Sequence, residues 1–195
     1  MKTSTIYEIS SILDGFLFPV LEKNDEFLLE SKWGYPLLSQ WQPFKFKFLK
    51  DYGEQKADFH FLLGFIPIIS EKICSKFNFE ATDVELLPIK DPAGEIFFVI
   101  NPCFCDSHIL NNKKSKIEFN SDGNISWILE PVFLDKPKKP IFKIPDIPTK
   151  VYVDESFVNV AKKYKWNGVD FVPRKIKKLS FINKLLKRIY EQTIR

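Results

Sequence analysis

Apolar positions along the chain recur mostly at every second residue or in short unbroken runs. Phe44, Phe46 and Phe48 alternate with Lys45 and Lys47. That period of two predicts a strand with an aromatic face inward and a lysine face to water. Ahead of it, FLFPVL, FLLE and WGYPLLSQW are apolar runs broken by turn residues. EIFFVIN (95–101), KIEFN (116–120) and ISWILEPVFL (125–134) predict further strands, and SDGN at 121–124 joins the last two as a hairpin. The proline-rich stretch DKPKKPIFKIPDIP (135–148) reads as a stiff, extended connector that adds no element to the core.

Helical spacing appears in three places. Two of them lie in segments that resemble each other, IPIISEKICSKFNFEATDVELLPI (66–89) and VYVDESFVNVAKKYKWNGVDFVPR (151–174). Each starts with a β-rich run and passes through Ser70-Glu71 or Asp154-Glu155. Each closes on Val-acid-apolar-apolar-Pro, and one insertion aligns them. Ser70 and Asp154 suit helix N-caps, with an acid in the first turn. Ile73 and Phe77, then Phe157, Val160, Ala161 and Tyr164, fall on one helical face. Two strand–helix–strand units are therefore expected. The third place is the C-terminus, where Ile176, Leu179, Ile182, Leu186, Ile189 and Thr193 form an apolar stripe opposite lysines. The expected fold is α+β, with mostly antiparallel strands, the two units and a C-terminal amphipathic helix. It divides into one domain over 1–174 and a basic helix over 175–195.

Charge and composition narrow the function classes. Residues 1–173 carry a net charge of −3 and residues 174–195 a net of +7. A mildly acidic body with a basic tail gives no footprint for nucleic acid, though the tail is compatible with an anionic membrane surface or a docked helix. Twenty phenylalanines against seven glycines favour strands and leave few residues for phosphate-cradling loops. No run approaches the roughly 18 apolar residues of a membrane span. The N-terminus has no apolar core followed by a cleavage site, and three cysteines without a repeated spacing predict reduced thiols. A cytoplasmic location is expected.

NPCFCDSH (101–108) is the densest cluster of reactive residue types. Cys103, Cys105, Asp106 and His108 invite a metal site, with Cys74 or His60 as outside ligands. One intervening residue between the cysteines departs from the usual zinc knuckle. A thiol nucleophile would need His60 or His108 as base. The alternative is a buried strand end on which Cys103 and Cys105 share one face as small hydrophobes. The tryptophans at 33, 41, 127 and 166 are expected to fill cores.

A set of blocks, taken in order, resembles a known family. WGYPLLSQWQPFKFKFLKD, ADF, PIISEKICSKF, VELLPI, VINPCFCDSH with KSKIEF, and FKIPDIPTKVYVDESFVNVAKKYKWNGVDFVPR follow the pattern of the myxobacterial-type immunity proteins of bacterial polymorphic toxin systems, the eleventh immunity class. The match runs from about residue 30 to 174. Asn101, Asp106 and Ser115 fit its pattern, while the two cysteines and His108 do not. The resemblance implies an α+β fold, no catalytic residue, no cofactor and no metal. It also implies stoichiometric binding of a cognate toxin encoded nearby. The competing expectations are a cysteine- or metal-dependent enzyme centred on Cys103, Cys105 and His108, and a membrane-surface adaptor acting through the tail.

Overall fold

The computed structural model describes residues 5–22, 33–103, 109–123, 125–135, 137–145 and 147–177. In chain order the first strands are β1 (Ile6–Ser11), β2 (Gly15–Phe16), β3 (Phe18–Leu21), β4 (Phe46–Leu49), β5 (Gly53–Gln55), β6 (Phe59–Leu62) and β7 (Ile66–Ser70). Helix α1 (Glu71–Cys74) precedes β8 (Val84–Lys90), β9 (Ile96–Pro102), β10 (Lys116–Phe119), β11 (Ile125–Glu130), β12 (Val132–Phe133), β13 (Ile141–Ile144) and β14 (Ile147–Asp154). Helix α2 (Glu155–Lys163) and β15 (Val169–Ile176) complete the described chain.

The expected α+β fold with two strand–helix–strand units and an amphipathic terminal helix is overturned. Strand accounts for 49% of the described residues and helix for 12%. Helix α1 is a single turn of four residues, against nine in α2. The two segments that look alike in sequence thus do not form equivalent units. Lys175 and Ile176, expected to open the terminal helix, extend β15 instead. The remainder of that helix, 178–195, lies outside the described residues.

A five-stranded sheet runs β12-β15-β1-β14-β13 and a four-stranded sheet runs β6-β7-β9-β8. All pairs are antiparallel except β12 with β15. Three two-stranded ribbons, β10-β11, β2-β5 and β3-β4, surround them. The central core lies between the two large sheets. Phe59, Phe61, Ile69 and Ile100 face Ile9, Val151, Val153 and Val169 there, with Phe157 and Ala161 of α2. The outer face of the four-stranded sheet packs Ile68, Leu87, Phe97 and Val99 on Trp33, Leu37, Phe44 and Phe46. The outer face of the five-stranded sheet packs Ile6, Phe142, Ile144 and Tyr152 on Ile128 and Phe133.

Neighbouring strand residues point to opposite faces. Ile68 and Ile69, or Tyr152 and Val153, therefore belong to different cores although both members of each pair are fully buried. Sheets covered on both faces explain why these strands are apolar at every position instead of alternating. The same burial corrects the connector at 135–148. Ile141, Phe142, Lys143, Ile144 and Ile147 are all buried, and β13 is an edge strand of the main sheet. Pro140 and Pro145 flank β13 without interrupting it, and Pro148 lies near the start of β14.

Candidate functional site

The end of β9 is a structural clasp. Asn101, 0% exposed, accepts from Gly34 N–H at 3.0 Å through Oδ1 and donates through Nδ2 to Tyr35 O at 2.8 Å. The same Nδ2 donates to Glu85 Oε2 at 2.9 Å. Glu85 in turn accepts from Leu37 N–H at 2.7 Å and Leu38 N–H at 3.0 Å. Trp41 Nε1 donates to Pro88 O at 3.0 Å. The stretch from Gly34 to Trp41, which includes a 3-10 turn at Leu38–Gln40, is thereby fixed along the outer edge of β8, with backbone groups satisfied by side chains. The clasp leaves Tyr35 and Leu38 55% and 58% exposed. Asn101 therefore serves a segment 67 residues away in sequence.

The reactive residue types do not assemble a catalytic group among the described residues. Cys103 is half-buried just after β9. Burial, and then the Glu85 carboxylate, push its thiol up, away from the thiolate that a nucleophile needs. Burial pushes Cys74 up to about 11. His60 sits inside the four-stranded sheet with its ring centroid 4.7 Å from that of Phe48. Its Nε2 accepts from Ala57 N–H at 3.2 Å, and burial pushes it down to about 4. It is a neutral core residue whose lone pair is already used. Cys105, Asp106 and His108 lie outside the described residues. No cluster of three or more potential metal ligands occurs among the described residues. Ser115, which fits the family pattern, accepts from Val132 N–H and donates to Asn111 O, both at 2.9 Å. It ties β10 to β12.

A different place carries the features of a binding site. Trp127 on β11 is 46% exposed, although a core position was expected for every tryptophan. Trp33 and Trp166 are buried as expected. Ile128 points inward at 3% exposure, so Trp127 and Leu129 share the outer face of the hairpin. Beside Trp127 opens a cleft of about 280 Å³, walled by Ile9, Ser10, Ser11, Leu63, Thr149 and Lys150. The Lys150 ammonium lies 6.0 Å from the Trp127 ring centroid and 2.7 Å from the buried Glu8 carboxylate. Arg174 holds the other Glu8 oxygen, its Nε at 2.9 Å. The buried Tyr152 phenol has no hydrogen-bond partner among the described residues, and burial, then the Glu8 charge, push it up.

Across the cleft, the β6–β7 turn places Leu63 at φ 53° and Gly64 at φ 78°. A leucine in the left-handed region costs about 1–2 kcal/mol, yet its side chain stays 39% exposed at the cleft. The turn is closed by Phe65 N–H donating to Leu62 O at 3.2 Å, and a hairpin turn of this hand needs positive φ at both central positions, so the hairpin accounts for the strain. Sequence spacing could not have marked the site, because its walls come from β1, β6, β11 and β14.

No family model matches the chain, and no curated protein matches it significantly. The sequence blocks that carry the family resemblance meet one another in space. WGYP docks on VELLP and VINP through Asn101 and Glu85. ADF meets NGVDF: Asp58 N–H donates to Asn167 Oδ1 at 2.6 Å and Phe59 N–H to Asn167 O at 3.1 Å. Gly168 follows at φ +78°, and a Cβ there would lie 2.1 Å from Phe59 O. These blocks hold the fold together, and the Trp127 cleft lies largely outside them.

Proposed function

We propose that this chain is an immunity-type binding protein that neutralises a secreted bacterial toxin by direct, stoichiometric contact. The Trp127 cleft serves as its anchor. The observation that carries the reading is an exposed tryptophan beside a preformed cleft and an ion-paired lysine, opposite an exposed leucine. Tryptophan is prominent among residues that dominate interface energies, and a preformed site loses little ordering entropy on binding. The ordered set of blocks resembling the immunity family supplies the kind of partner. A patch of the usual size, about 800 Å² per partner, would extend from the cleft over Leu129 and the hairpin face. No described helix is long and apolar enough to cross a membrane, and we assign the neutralisation to the cytoplasm of the producing cell. The described residues lend the thiol-enzyme alternative no support, since burial pushes the Cys74 and Cys103 thiols up and His60 down, while Cys105 and His108 lie outside them.

The test is co-expression with the product of the adjacent gene. A one-to-one complex on size-exclusion chromatography and rescue of growth are expected. Trp127→Ala should weaken the complex at least about tenfold, equivalent to about 1.4 kcal/mol or more, with an unchanged melting temperature. A chain that neither binds that product nor rescues growth overturns the reading. Full binding by Trp127→Ala moves the anchor elsewhere while leaving the function in place.

A further inference from the structure

The Trp127 cleft opens where the five-stranded sheet comes apart. β1 pairs with β14 only through Ile6–Asp154, Tyr7–Val153 and Glu8–Tyr152, whereas its pairing with β15 continues to Ser11–Val169. Both strands run on past their last shared pair, β1 to Ser11 and β14 back to Ile147. No ladder pair joins them there. The cause lies on the far side of β14. Its register against β13 shifts between Phe142–Tyr152 and Ile144–Ile147, so Pro148, Thr149, Lys150 and Val151 stand opposite Lys143 alone. Extra residues on one strand bend it and disrupt its ladder.

The gap leaves β1 with an open edge. Along an antiparallel strand, successive residues turn their N–H and C=O groups to opposite neighbours. Ile12 N–H donates to Gly168 O at 3.1 Å on the β15 side, which sets the phase. Ser10 therefore bonds toward β15, and Ser11 turns its N–H and C=O into the gap. The walls of the cleft lie on opposite faces of the sheet. Trp127 and Lys150 stand on the outer face beside Glu8. Phe61 and Leu63 belong to the β6–β7 hairpin, which packs on the inner face. A cleft lined from both faces exists only where the sheet is interrupted. Leu63 and Trp127 both have surface to give, at 39% and 46% exposed. At about 280 Å³ the space is smaller than sites for drug-sized molecules, and it suits a short stretch of chain.

We infer that the cleft takes an extended segment of the partner polypeptide, added to the open edge of β1 as a short strand. The segment exchanges main-chain hydrogen bonds with Ser11 and lays alternate side chains against Trp127 and Leu63, the period that a strand imposes. Both walls select apolar or aromatic side chains. This names how the partner is held at the Trp127 cleft, and it rests on the toxin-binding reading.

The test uses the product of the adjacent gene and the full chain, isotope-labelled for amide exchange by NMR. In the complex, the Ser11 amide should exchange at least about tenfold more slowly than in the free chain, and the Ser10 amide should change less. Ser11→Pro, which deletes the N–H, should weaken the complex about five- to tenfold, more than Ser11→Ala, which deletes the hydroxyl. Leu63→Asn, which keeps a residue suited to positive φ, should weaken it about fivefold by removing an apolar wall. A complex that forms while the Ser11 amide stays unprotected overturns strand addition and leaves Trp127 as the anchor. Equal losses in Ser11→Pro and Ser11→Ala also overturn it, because the side chain is then what is recognised. If Ser11→Pro fails to fold, exchange in the native chain decides alone. Absence of any complex overturns the toxin-binding reading and this inference with it.

Discussion

Asn101 and His60, inside the four-stranded sheet, are neutral, whereas Glu8 and Lys143, inside the five-stranded sheet, are ions. All four are buried, between 0% and 4% exposed. Asn101 and His60 use their polar atoms on backbone groups that would otherwise lack partners. Glu8 is compensated by Lys150 and Arg174. Lys143 has only the Trp33 ring, 5.7 Å from its ammonium, among the described residues. Neutral groups that complete a hydrogen-bond inventory stabilise a fold modestly and specify it strongly. Buried ions at best break even, and an uncompensated one costs several kcal/mol. The two sheets therefore solve the same burial problem at different expense, and substitutions should separate them.

The largest effect is expected at Glu8. Glu8→Ala leaves the partly exposed Lys150 and Arg174, at 33% and 20% side-chain exposure, without the buried carboxylate they share, and should cost about 3 kcal/mol in urea unfolding at pH 7. Replacing all three with apolar residues should recover most of that loss. If Glu8→Ala costs under about 1 kcal/mol, the cluster is solvated and the contrast between the sheets fails.

Lys143 should act in the opposite direction. Burial pushes its ammonium down to about 8 from an ordinary 10.5. The unfolded chain therefore holds the proton more firmly, and stability should rise with pH between about 8 and 10.5. Lys143→Met should stabilise the protein by about 2–3 kcal/mol at pH 7 and remove that alkaline rise. A destabilised variant would show that the ammonium is compensated.

His60 gives an acid-side counterpart of smaller size. Its folded value lies at about 4, below the ordinary 6.5. Stability is thus complete above pH 6.5 and falls as pH drops through 6.5 toward 4, because the unfolded chain takes up the proton first. Between pH 7 and pH 5 the loss should be about 2 kcal/mol, and His60→Gln should flatten it. An unaltered slope in that variant would assign the acid loss to carboxylates.

The strand at Phe46–Leu49 and the hairpin across 121–124 are legible from alternation and turn chemistry, which act within a few residues. Phe44 and Phe46 are buried and Lys45 and Lys47 exposed, as period two requires. β13 was illegible because the prolines around it, Pro137, Pro140, Pro145 and Pro148, signal a connector, although none of them falls within Ile141–Ile144 itself. The Asn101 clasp was illegible because its partners at 34 and 35 are brought together by the fold, not by spacing. Trp127 was misread for a similar reason. Its neighbour Ile128 takes the inward position, and only the three-dimensional register of the hairpin decides which of the two faces the core.

The smallest test concerns the two helix starts, where similar sequence gives unlike structure. Asp154 accepts from Ser156 N–H at 2.8 Å and from Phe157 N–H at 3.3 Å, and α2 runs for nine residues. Ser70 makes no cap bond, its hydroxyl is buried without a partner among the described residues, and α1 stops after one turn. A carboxylate at the cap also meets the positive end of the helix dipole, which a hydroxyl does not. The apolar face of α2 is longer as well, with Phe157, Val158 and Ala161 buried, whereas α1 buries Ile73 alone. Nucleating a helix is costly, so a cap and a face must act together before the turns propagate. Asp154→Ala should therefore cost about 1–2 kcal/mol. Ser70→Ala should be neutral or stabilising by up to about 0.5 kcal/mol, because it deletes an unbonded buried hydroxyl. Equal losses at the two positions, measured by urea midpoints at pH 7, would mean that Ser70 caps α1 in solution and that the two segments are more alike than their helices.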